Sequence, residues 1–159
     1  MSKRIKIFKL IISILVCQGA GAIGSLFTSP AISTWYSTIQ KPSFNPPNWI
    51  FAPVWILLFL LMGISLYLIW SKGFYNKETK IAIFIFFVQL ILNILWSIIF
   101  FALQSPLYAF IEIIILWFMI LLTIITFYRV SKITVYLLLP YIIWVSFALV
   151  LNFSILIIN

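Results

Sequence analysis

Five uninterrupted apolar runs, each about 20 residues long, leave this chain few folds to choose from. They occupy roughly residues 5–27, 48–70, 80–103, 106–128 and 135–158. A run of that length, wound as an α-helix, crosses about 30 Å of hydrocarbon. Inside a bilayer every backbone N–H and C=O must find its partner within the protein, so a crossing segment is a helix or part of a closed barrel. Barrel strands alternate apolar and polar residues over about 10 positions. These runs do not alternate. Of the 159 residues, 65% are hydrophobic and 8% charged, more apolar surface than one small soluble domain can hide. The expected fold is therefore all-α, a five-transmembrane-helix bundle forming a single domain over 1–159.

Charge placement supports the count and orients the bundle. Lys3, Arg4, Lys6 and Lys9 precede or open the first run; Lys72, Lys77 and Lys80 lie between the second and third; Arg129 and Lys132 lie between the fourth and fifth. With five crossings all nine fall on one side, and Lys41 alone falls on the other. The positive-inside rule then sets the N-terminus in the cytoplasm and the C-terminus outside. The net charge of +8 reads as orientation and contact with anionic lipid rather than nucleic-acid binding. The opening MSKRIKIFKLIISILVCQGAGA has the form of a secretory signal, but it is needed as the first crossing. Residues 28–47, polar and proline-rich, form the one long connection. Pro106 suits the first turn of the fourth helix, and Pro140 either kinks the fifth or marks its start.

Faces that dislike lipid recur at spacings of three and four. They comprise Gln18, Ala22 and Ser25 in the first run, Trp55, Phe59 and Met62 in the second, and Gln89, Asn93, Trp96 and Phe100 in the third. Tyr108 and Glu112 follow in the fourth, and Tyr141, Trp144, Ala148 and Leu151 in the fifth. Converging, they would line a cavity with aromatic walls and a few hydrogen-bonding groups, the make-up of a site for a flat, apolar small molecule. Glu112 is one of only two acidic residues. A carboxyl group at membrane depth is costly: it meets a ligand or a proton, or it hydrogen-bonds between helices or lies near the interface. Gln89 and Asn93 are either ligand contacts or links between helices, and Gly19, Gly21 and Gly24 suit close helix packing. Trp49 and Trp70 sit where interfacial anchors are expected. Without histidine there is no Ser-His or Cys-His pair, and one cysteine, Cys17, excludes an intrachain disulfide. No metal site and no resident cofactor are expected.

The stretch Trp35 to Trp55 contains KPSFNPP and APVW. It resembles the tryptophan-rich sensory protein/translocator protein family, formerly the peripheral-type benzodiazepine receptor. The third run, Gln89-Leu90-Ile91-Leu92-Asn93 with Trp96, is similar to that family's QL-x-LN-x-x-W. The fifth, Pro140-Tyr141-Ile142-Ile143-Trp144 through Phe147-Ala148 to Leu151-Asn152, is similar to its PY-x-x-W…FA…LN. The resemblance covers nearly the whole chain in order. It implies a five-helix bundle, often a homodimer, in a bacterial plasma membrane. It also implies a pocket under the first long connection that binds porphyrins such as protoporphyrin IX, with Tyr36, Pro46, Trp55, Phe59, Asn93, Trp96, Trp144, Ala148 and Leu151 as pocket residues. Glu112 stands where relatives carry aspartate. Light-dependent breakdown of porphyrin, reported for some members, would here involve Trp55 and Trp144; transport of porphyrins or other amphiphiles is the alternative. At the end of the fifth run Phe153 replaces the tyrosine of the animal cholesterol motif and no basic residue follows, so cholesterol binding through that motif is not expected.

Overall fold

The computed structural model describes residues 3–159; Met1 and Ser2, the start of the signal-like segment, lie outside the described residues. Helix α1 spans Lys3–Ser33, and a single turn, α2, spans Trp35–Thr38. Helix α3 runs over Asn48–Trp70. Helix α4 covers Lys77–Ser97 and passes directly into a π-helical turn, Ile98–Ala102. Helices α5, Pro106–Val130, and α6, Ile133–Ile158, complete the chain. Five of these helices are long and apolar enough to cross a membrane, and the described residues contain no strand. The protein is an integral membrane protein.

Local chemistry explains the boundaries. The Asn76 side chain accepts a hydrogen bond from the Thr79 N–H at 2.9 Å and caps α4, with Glu78 favourably placed in the first turn. After α3 the chain turns at Gly73, whose φ of +86° suits a residue without Cβ. Between α4 and α5 the turn falls on Gln104, at φ 51°, before Pro106 opens α5.

Helix α1 is longer than the apolar run predicts: residues 28–33, read as the start of a polar loop, are helical. Hydroxyl groups that look like loop residues bond to carbonyls of α1, Thr28 within it to Gly24 at 3.1 Å and Thr34 just past its end to Pro30 at 2.8 Å. Pro140 stands inside α6, which starts at Ile133, so Pro140 does not mark its beginning.

The helices close into a ring in which α1 neighbours α3 and α4, α4 neighbours α5, α5 neighbours α6, and α6 neighbours α3. Lys9 Nζ donates to the Trp70 carbonyl at 3.3 Å and sits over the Trp70 ring, joining the start of α1 to the end of α3. The core in this half buries Met62, Phe86 and Phe127 fully, beside the small polar side chains of Ser13, Ser65 and Thr79, and Phe86 stacks on Phe127 at 5.5 Å. Large apolar side chains such as Phe84, Ile91, Phe118 and Ile143 point outward, as lipid-facing positions should. Tyr108 is also exposed, so the face expected on the fourth run, Tyr108 with Glu112, does not turn inward as a unit.

Candidate functional site

At the opposite end of the ring the helices enclose a cavity of about 430 Å³. That lies within the range of about 300–1,000 Å³ usual for small-molecule pockets. Helices α1, α3, α4 with its π turn, and α6 supply the walls, and α2 supplies Tyr36. Helix α5 contributes no lining residue. Of the expected pocket residues, Tyr36, Trp55, Phe59, Asn93, Trp96, Trp144, Ala148 and Leu151 line the cavity. Pro46 and Glu112 do not.

Three groups of aromatic rings stand at the wall, one around each lining tryptophan. Trp55 lies 5.6 Å from Phe59 and 6.3 Å from Tyr141 between ring centroids. Trp144 lies 6.2 Å from Phe51 and 5.4 Å from Phe147. Trp96 stacks on Phe100 at 5.1 Å. The π turn matters here. It carries Phe100 and Phe101, which both line the cavity and pack on each other at 4.9 Å. A π turn within an α-helix is frequently found at a functional site.

Of the three lining indole groups, one is occupied. Trp96 donates to Asn152 Oδ1 at 3.1 Å, while Asn152 Nδ2 donates to the Pro106 carbonyl at 2.9 Å. Trp117, outside the cavity, donates to Ser146 Oγ at 2.8 Å. Among the described residues, the indole N–H groups of Trp55 and Trp144 have no hydrogen-bond acceptor. Both residues line the cavity, so each brings a donor free for a ligand. Asn93 is less free: its Nδ2 donates to Tyr141 Oη at 2.8 Å, and that hydroxyl donates to Gln89 Oε1 at 2.8 Å. Gln89 is thus a link between α4 and α6, and Asn93 is both link and lining.

Glu112 is 6% exposed and buried beside this network, near Tyr141, with no donor to either carboxyl oxygen among the described residues. The cluster has no metal-ligating company, since no group of three or more His, Cys, Asp or Glu side chains occurs among the described residues.

From the connection between α1 and α3, Tyr36 lines the cavity. Tyr36 Oη donates to Asn45 Oδ1 at 2.7 Å, and Lys41 Nζ sits 4.7 Å above the Tyr36 ring. Burial pushes the Tyr36 pKa above its ordinary value, against a smaller lowering from Asn45, so the hydroxyl is a neutral donor at neutral pH. Phe44 packs on Phe147, and Asn159 exchanges two hydrogen bonds with the Gln40 backbone at 2.9 and 3.0 Å. Among the polar lining residues, the spacing of the runs does not single out Thr28, Ser29, Asn48, Ser97 or Asn152. Asn152 offers a signal in retrospect, as a lone amide within an apolar run.

The TspO/MBR family pattern matches residues 13–158. The chain is 48% identical to the tryptophan-rich protein TspO of Archaeoglobus fulgidus, over 96% of this chain and 98% of that one. It is 45% identical to the tryptophan-rich protein TspO of Chlorobaculum tepidum, over 97% and 98% of the two chains. It is 32% identical to the human translocator protein, over 84% and 79%. The chain belongs to the TspO/MBR family.

Proposed function

We propose that the chain is a membrane receptor whose intrabundle cavity binds flat apolar ligands, porphyrins such as protoporphyrin IX foremost. The observation that carries this reading is the pair Trp55 and Trp144, two lining indoles with unclaimed N–H groups in an otherwise aromatic wall. A planar macrocycle with polar edge groups stacks on such a wall and accepts from such donors. The nine cations on one side of the bundle support a cytoplasmic N-terminus, and a bacterial plasma membrane is part of the same proposal. Assembly as a homodimer is part of the same reading, from the resemblance alone. Protoporphyrin added to the reconstituted protein should quench tryptophan fluorescence at micromolar concentration, and Trp55→Phe/Trp144→Phe should weaken binding about tenfold, the worth of one or two neutral hydrogen bonds. Absence of quenching in the wild type would overturn the reading. Photochemical breakdown of the bound ring, with Trp55 and Trp144 as electron donors, is checked by loss of porphyrin absorbance under light and air, reduced in the double variant.

Transport is favoured by a different observation, the partnerless carboxyl group of Glu112, together with the name translocator protein carried by the mammalian relatives. Because Glu112 does not line the cavity, Glu112→Gln should leave porphyrin quenching at the wild-type level. A transporter coupled through that carboxyl would lose uptake into proteoliposomes in the same variant; uptake no faster than in empty liposomes removes the transport reading.

A further inference from the structure

The lining residues differ sharply in exposure from one helix to the next. Those on α4, its π turn and α6 are all buried or half-buried. The exposed ones belong only to α1 and α3: Ala22, Ser25 and Ser29 on one helix, Asn48, Ala52 and Ile56 on the other. A residue that both lines a cavity and faces outward marks its mouth. This mouth lies on the flank of the bundle, between the second half of α1 and the first half of α3.

Three observations make it a built opening. Towards the start of α1 the two helices touch: a Cβ on Gly63 would lie 2.8 Å from Ile14 Cα and 3.1 Å from the Ser13 carbonyl oxygen. Gln18 Nε2 donates to the Ile56 carbonyl at 3.0 Å and ties the helices together again where the gap begins. Beyond that tie the lips are small residues, and the Ser25 hydroxyl is satisfied by the Ala22 carbonyl at 2.7 Å, so it does not present an unpaired donor to hydrocarbon. At the end of the cavity where α2 lies, Tyr36 is buried, and two hydrogen bonds join the Gln40 backbone to Asn159.

We infer that the cavity is loaded sideways from the lipid bilayer through the gap between α1 and α3, and that its ligands are amphiphiles already dissolved in the membrane. This rests on the cavity being the ligand site. The connection over the top then acts as a fixed roof, and the gap between α1 and α3 as the door.

The experiment uses the reconstituted full chain in a Cys17→Ala background, mixed with vesicles carrying protoporphyrin, with tryptophan quenching followed in time and at equilibrium. One variant, Gln40→Cys/Asn159→Cys, locks the roof by a disulfide or a short bismaleimide linker, with cross-linking confirmed by loss of free thiol. Others fill the mouth: Ala52→Phe, and Ser25→Phe as an independent lip in case the first packs poorly. Whatever their effect on equilibrium quenching as lining positions, the mouth variants should slow loading by about tenfold, and the locked roof should alter the rate by less than about twofold. A locked roof that slows loading about tenfold, beside mouth variants at the wild-type rate, would overturn the side door. Lack of equilibrium quenching in the unmodified chain would instead overturn the binding reading on which it rests.

Discussion

Single positions show how finely the packing is set. Gly63 and Gly19 are both helical glycines, with opposite surroundings. Any side chain at Gly63 runs into the α1 backbone, whereas a Cβ on Gly19 meets nothing within 4 Å. Gly63→Ala should therefore destabilise by about 1–3 kcal/mol, the usual cost of overpacking. Gly19→Ala should stabilise by about 0.5–1 kcal/mol through helix propensity alone. Thermal unfolding in one detergent checks both signs. Sequence spacing grouped Gly19 with Gly21 and Gly24, but only the latter two face neighbours, Phe59 and Ser97. The tryptophans were more legible. Trp55, Trp96 and Trp144 lie on inward-facing stripes with period three and four, and all three line the cavity. Glu112 was legible as costly, with its depth left open, and a helical period cannot say which neighbouring helix a side chain meets. Only the closed ring shows that α5 stands behind the cavity wall.

At the scale of elements, the crossings could be read because each is a hydropathy block with charged or proline-marked ends. The departures from regular helix could not. Nothing in Ile98-Ile99-Phe100-Phe101-Ala102 announces a π turn, since its cost is met by tertiary contacts such as Trp35 and Trp96 against Phe100. Likewise the hydroxyl-rich end of α1 looks like a loop until Thr28 and Thr34 are seen bonding to its carbonyls. A π turn amounts to one extra residue in an α-helix. Deleting Ile99 should convert the turn to α-helix, rotate Phe100 and Phe101 off the wall, and weaken protoporphyrin quenching about tenfold while the chain still inserts and folds. Retained affinity with a normal circular-dichroism spectrum would show that the turn has no part in binding.

For the whole molecule, one asymmetry decides orientation. Lys72→Cys and Lys41→Cys, on opposite ends of the bundle, should differ in reaction with an impermeant maleimide: Lys41→Cys labels in intact cells, and Lys72→Cys labels only after lysis. Native Cys17 is fully buried and should not interfere. The reverse pattern would invert the topology. Ring closure, with α5 packed between α4 and α6 yet absent from the cavity wall, was not legible beforehand, because no charge or hydropathy rule orders five similar apolar helices around an axis.

The gap between α1 and α3 also changes what the empty state of the cavity is. A pocket that opens into hydrocarbon is bathed by acyl chains, so a ligand replaces lipid there rather than water. Apolar area then selects little, because lipid tails are as apolar as the wall. Discrimination falls to ring stacking and to the two free indole donors, and binding loses its usual thermal signature. Calorimetry with protoporphyrin partitioned into nanodiscs should give a heat-capacity change near zero, in contrast to the clearly negative value that marks apolar burial from water. Affinity should in turn depend on which lipids compete for the space.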